Sequence, residues 1–231
     1  MVGPNTSSAP RTRTCSGDRA ALDAADAPTP VSVPAFVSAR RSIRAFAPRP
    51  VHRARLDALV EAACLAPAPH HSRPWRWVVV DTREAKHDLA DGMGQRWRHD
   101  LAADGLATER IDELVDASHA RLTAAPALLL GCLTWDGLDR YPDEARARAE
   151  WGMALLSLGA GVENLMLAAT DDGLASCWVA APIFCPEAAG AALALPSQWL
   201  PHALVLVGEP HAEYEPRERP DPDLDGLRTF R

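Results

Sequence analysis

The stretch from Asp143 to about Asp171 constrains this chain more than any other. Trp151, Leu155, Leu158, Val162 and Leu165 step by four, three, four and three residues, and Met153, Leu156, Met166 and Leu167 fill other faces. That spacing predicts one long helix, apolar nearly all round. Such a helix is either central to a large core or spans a membrane. Glu163, Asn164 and Ser157 argue against the bilayer, where a charged residue costs about 2.5 to 3.5 kcal/mol on insertion scales. A 24.9 kDa chain has limited room to bury a helix on every side. Gly152, Gly159 and Gly161 would also let a second helix approach closely. The expectation is a two-fold homodimer with this helix at its centre.

Around it the pattern mixes helices and strands. A short helix is expected over Ser32 to Ala39, with Ser32 as cap and Pro34 in its first turn. Leu56, Leu59, Val60 and Ala63 fall at i, i+3, i+4, i+7 and predict a helix from about Arg53 to Ala66, stopped by Pro67 and Pro69. Trp75–Val80, Pro126–Leu133, Ala175–Ala180 and His202–Gly208 read as strands, the second apolar enough to be buried on both faces. Arg83 to Ala124 reads as helical but broken at Gly92, Gly94 and Gly105. It is either a cover over a site or a plain surface hairpin. Pro186 to about Leu195 reads as a short helix, and Leu227 to Phe230 as a short edge strand. The sum is an α+β fold, a mainly antiparallel sheet wrapped by helices. Residues 32–231 form its domain, and 1–31 read as a disordered extension with neither signal peptide nor anchor.

Charge and cysteine usage exclude several function classes. A formal net charge of -7 argues against a nucleic-acid binder. The five cysteines are odd in number and form no C-x-x-C pair, which points to reduced thiols in a cytoplasmic protein. No Glu or Cys stands at ligand spacing beside His70 and His71, so no metal site is expected. The chain has no G-x-G-x-x-G after a strand, no P-loop and no G-x-S-x-G elbow. What remains is Arg40-Arg41-Ser42-Ile43-Arg44. Three guanidiniums and a hydroxyl within five residues suit a phosphate, because the arginine fork is rigid and always charged.

Arg40-Arg41-Ser42-Ile43-Arg44-x-Phe46, a Pro-Val step, a helix, and Ala66-Pro67-Ala68-Pro69-His70-His71-Ser72-Arg73-Pro74-Trp75 before a strand resemble the FMN-dependent nitroreductase superfamily. The wording of the second stretch, with Trp97-Arg98-His99-Asp100-Leu101, resembles one branch. That branch is the C-terminal FMN domain of the bifunctional enzyme that matures the deazaflavin coenzyme F-420. The resemblance runs from about Phe36 to the C-terminus. It implies FMN as cofactor, with Arg40, Arg41 and Ser42 on its phosphate and Arg44 at the pyrimidine edge of the ring. It implies that Arg217 and Arg219 return to the phosphate from the tail, and that the backbone of Val179, Ala180 and Ala181 faces flavin N5. Pro67, Ala68, Pro69, His70 and His71 match the loop that a partner subunit lays against the flavin. The commoner family wording there is Ser-Ser-x-Asn and Gln-Pro, from which this chain departs. His70, Arg98 and Asp100 fall where the branch would contact substrate, and no catalytic side chain is implied.

The expected function is hydride transfer through FMN to a small molecule, and by resemblance to a dehydro precursor of coenzyme F-420. Two alternatives stay open: a generic NAD(P)H-dependent nitro or quinone reductase, and a flavin or deazaflavin carrier without turnover.

Overall fold

The computed structural model describes residues 31–215 and 217–231. The extension expected over 1–31, Cys15 included, lies almost wholly outside them. The unit Ala35–Arg231 is built on four antiparallel strands in the order β1-β2-β4-β3. These are β1 (Trp75–Val80), β2 (Ala127–Leu133), β3 (Ala175–Val179) and β4 (Leu200–Gly208). Every residue of β2 is buried, because the strand sits between β1 and β4 with helices on both sheet faces.

Alternation along β2 deals its side chains to two cores. Ala127, Leu129 and Leu133 join Leu56, Leu59, Leu158, Val162 and Leu165 beneath α2 (Arg53–Cys64) and α5 (Glu144–Asp171). Leu128, Leu130 and Cys132 join Leu89, Met93, Leu122 and Ala189 beneath α3 (Arg83–Ala103), α4 (Thr108–Ala124) and α6 (Pro186–Ala192). Burial without compensating charge pushes the Cys132 thiol up to about 12. Lys86 reaches back from α3 to donate to the Ala125 carbonyl at 2.7 Å. Its own burial lowers its pKa, and the Asp81 charge opposes that.

The long helix forms as its spacing demands. Asp143 caps it, accepting from the Arg146 amide at 2.9 Å. That bond and the Arg146 side chain hold the Asp143 carboxyl below the usual aspartate range. One flank is buried against the sheet and α2, where the close approach of Gly161 to the Ala63 carbonyl leaves no room for a side chain. The opposite flank is open: Leu156 is 76% and Met153 39% exposed, and among the described residues nothing approaches Gly152 or Gly159.

Four expectations are corrected. The first helix is only α1, Ala35–Ala39, so Pro34 precedes it instead of lying in its first turn. The helix ending at Ala66 stops two residues earlier, at Cys64. Gly92 and Gly94 do not break the 83–124 segment. Both lie within α3, where they let the helix close on Ala188 and Ala192 of α6 and on Val115 of α4, and only Gly105, at φ +81°, marks a turn. Leu227 to Phe230 is no strand. Leu224–Leu227 is a helical turn, α7, capped by Asp223, and residues 228–230 are irregular.

Candidate cofactor site

The arginine cluster is drawn to the β3 edge by backbone pairing. Ser42 bridges Ser176 in parallel, and the Ile43 amide donates to the Ser176 carbonyl at 2.9 Å. This sets Arg40 and Ser42 beside the end of β3. Together with Glu163 and Met166 from α5, and Trp178 and Ala180, they line a cavity of about 370 Å³. Its lining comes from three separate parts of the chain.

Arg40 is the more enclosed partner of an ion pair, its Nε 3.2 Å from Glu163 Oε1. Arg41 is turned onto its own backbone: Nη1 donates to the Ser38 and Arg40 carbonyls at 2.6 and 2.9 Å. Arg219 donates to the same Ser38 carbonyl at 3.2 Å, which carries the C-terminal tail back to the cluster. Arg217, two residues before it, is exposed. Arg44 makes only a long 3.4 Å contact to the Ser42 carbonyl. Two buried polar atoms at this junction, Arg41 Nε and Ser176 Oγ, have no partner among the described residues. A buried donor left unpaired costs about 1 to 3 kcal/mol, so an acceptor group is wanted here. The donor set fits a phosphate monoester such as that of FMN.

The end of β3 separates two cavities. Trp178 and Ala180 face the one described, whereas Val179 and Ala181 line a second of about 470 Å³. Its wall is mostly apolar: Met93, Trp97 and Leu101 from α3, Val115 and Leu122 from α4, and Phe184. Asp100 lines it too, paired with Arg96 at 3.0 Å. Arg98 does not line it. Its guanidinium is taken by Asp112 and by Asp116, the latter at 2.8 Å, strapping α3 to α4. Arg121 also lines this cavity, and among the described residues it makes no ion pair. With Arg44 it opposes the rise that burial imposes on the Cys177 thiol.

Pro67, Ala68, Pro69, His70 and His71 lie elsewhere. They precede β1, at the sheet edge opposite β3. Trp75 pairs with Leu133, which pairs with Leu200, so the loop shares the sheet end where β3 finishes. Three strand spacings still separate the two edges, roughly 14 Å. The loop is held in an unusual shape: His70, His71 and Arg73 all have positive φ, near +50°. Each such residue costs of order 1 kcal/mol or more. The wall of the loop is Gly137, at φ +75°, whose missing Cβ would stand 2.9 Å from the Ser72 carbonyl. His70 Nε2 lies 3.8 Å from Asp139.

Sequence reading missed Glu163, Met166, Trp178, Ser176 and Arg121. Their periodicity marks them as core or surface residues, and only the Ser42–Ser176 pairing brings the first four beside the arginines. Strand alternation from Val179 and Ala181 could have set Trp178 and Ala180 on the other face.

Comparison with known proteins gives the chain's family. Residues 37–209 match the model of the Nitroreductase family. A 5,6-dimethylbenzimidazole synthase of Rhodospirillum rubrum is 29% identical over 81% of this chain and 84% of its own. A 4-nitrobenzoate reductase of Pseudomonas putida is 28% identical over 62% of this chain and 70% of its own. The structure of a nitroreductase with bound FMN from Bacteroides fragilis superposes with a TM-score of 0.64 at 22% identity, covering 84% of this chain and 96% of that one. The cofactor is FMN, and the chain belongs to the nitroreductase family of FMN-dependent oxidoreductases.

Proposed function

We propose that the 370 Å³ cavity holds the phosphate end of FMN and that the chain reduces a planar, anionic acceptor, the dehydro precursor of the deazaflavin coenzyme F-420. The observation that carries the cofactor reading is the convergence of Arg40, Ser42, Trp178 and Ala180 on one cavity beside two unpartnered buried donors. Arg40 and Ser42 grip the phosphate. Arg41 and Arg219, both tied to the Ser38 carbonyl, fix the turn that presents them. FMN, when bound, supplies a two-electron carrier that accepts and returns hydride at N5. The end of β3 offers backbone amides and, in Ala180 and Ala181, little bulk to obstruct that edge. Arg44 brings a fixed positive charge to the pyrimidine edge, where reduction leaves negative charge.

The acceptor belongs in the 470 Å³ cavity, whose apolar wall suits a flat ring system and excludes water, with Asp100 and Arg121 among its polar groups. Support for the deazaflavin precursor comes from the wording of residues 66–75 and 97–101 and from the local concentration of arginines. The site is completed by a second copy of the chain. The open flank of α5 supplies the seam, and the partner's 67–71 loop reaches the flavin that its own sheet holds at a distance.

The test is anaerobic mixing of flavin-loaded, pre-reduced protein with the dehydro precursor and, separately, with 4-nitrobenzoate. The proposal expects flavin reoxidation by the precursor. Reoxidation by the nitro compound alone would make the protein a generic nitroreductase. A reduced flavin that neither compound reoxidises would make it a carrier.

A further inference from the structure

Glu163 is out of place in a cavity that takes an anion. Its carboxylate lines the same space as Arg40 and Ser42, and it holds the guanidinium through a single contact, Oε1 to Nε. Among the described residues neither terminal nitrogen of Arg40 has an acceptor. As a support for the fold the pair is weak, since the Glu163 side chain is 48% exposed and half-exposed ion pairs contribute little. The same carboxylate lines the cavity assigned to the phosphate dianion, where like charge disfavours binding.

We propose that Glu163 limits how tightly the flavin is held: Arg40 must share its charge between this carboxylate and the cofactor phosphate, so the site binds FMN less tightly than its arginines alone would allow. The inference rests on the phosphate reading of the cavity. It assigns Glu163 a role in setting cofactor affinity, and none in hydride transfer. The two effects of removing the carboxylate have opposite signs. Loss of the exposed pair would loosen Arg40 slightly, whereas loss of the like charge would favour the dianion more. The second wins because a single exposed contact is worth less than the repulsion of a dianion at close range.

The measurement is flavin-fluorescence titration of the parent, Glu163→Gln and Glu163→Ala with FMN and with riboflavin, which lacks the phosphate. Thermal unfolding of the flavin-free proteins confirms that each variant is folded. The expected result is FMN bound about three- to tenfold tighter by both variants, with riboflavin binding unchanged within twofold. FMN affinity that is unchanged or reduced would overturn the role of Glu163, as would equal gains for FMN and riboflavin. If the parent itself holds FMN no better than riboflavin, the phosphate reading fails, and this inference fails with it.

Discussion

The two edges of the sheet are built in contrasting ways. At the β3 edge, pairing of Ser42 with Ser176 assembles a cavity from residues far apart in the chain, in ordinary backbone conformations. At the β1 edge, the 67–73 loop carries residues at positive φ and presents them away from that cavity. One edge is nearly complete in a single chain. The other bears the conformational strain of His70, His71 and Arg73. Strain persists where surrounding structure imposes it, and here Gly137 and the 134–139 turn impose it. The difference supports the proposal made above, in which a second copy of the chain completes the site and each 67–71 loop serves its partner's cavity.

The sharpest way to break that contrast is at the seam. Leu156→Arg puts a charge on the open flank of α5. It is expected to give a monomer by sedimentation, with flavin affinity down a hundredfold or more and unfolding little changed. A monomeric variant that keeps the parent's flavin affinity would show that one edge suffices. Gly137→Ala acts on the other edge. The added Cβ meets the Ser72 carbonyl at a positive φ, so a loss of about 1 to 3 kcal/mol is expected in denaturant unfolding. Flavin affinity should fall in the dimer, although the arginine cavity is untouched.

Smaller effects should sharpen the comparison. His71→Gly relieves a positive φ and should stabilise the chain by roughly 1 kcal/mol, yet loosen flavin binding if the loop shape matters. The pH dependence should come from the sheet and the α5 cap. Cys132 is raised by burial, so its contribution is intact below about pH 9, its ordinary value, and is lost as pH climbs toward 12. Asp143 is lowered, so its contribution is present above about pH 4 and is lost as acid protonates it. Cys132→Ser should flatten the alkaline limb of stability, and Asp143→Asn the acid limb, in thermal melts across pH.

Much of the fold is legible in the residues because periodicity is a local property. Trp75–Val80 reads as a strand with its observed bounds, and the helix after Asp143 is visible from its apolar steps and its cap. Gly92 and Gly94 mislead because a glycine's low helix propensity resembles a break, when both are spaces left for α4 and α6. The tail misleads because Leu227 and Phe230 look like strand residues but lie exposed, without a partner strand among the described residues. The arginine cluster is legible as an anion grip from charge alone. Glu163, Ser176 and Trp178 are not, because their place in the cavity depends on which strand the cluster pairs with. Arg98 shows the reverse: it lies in a recognisable motif, yet its charge is spent on Asp112 and Asp116.

Binding of FMN and riboflavin to the parent and to Arg40→Ala, followed by fluorescence, tests the central claim most directly. Loss of a charge-assisted contact worth about 1.5 to 3 kcal/mol should weaken FMN roughly 10- to 100-fold and leave riboflavin where it was. Equal affinities of both proteins for FMN would mean that the cavity beside β3 is not where the phosphate sits.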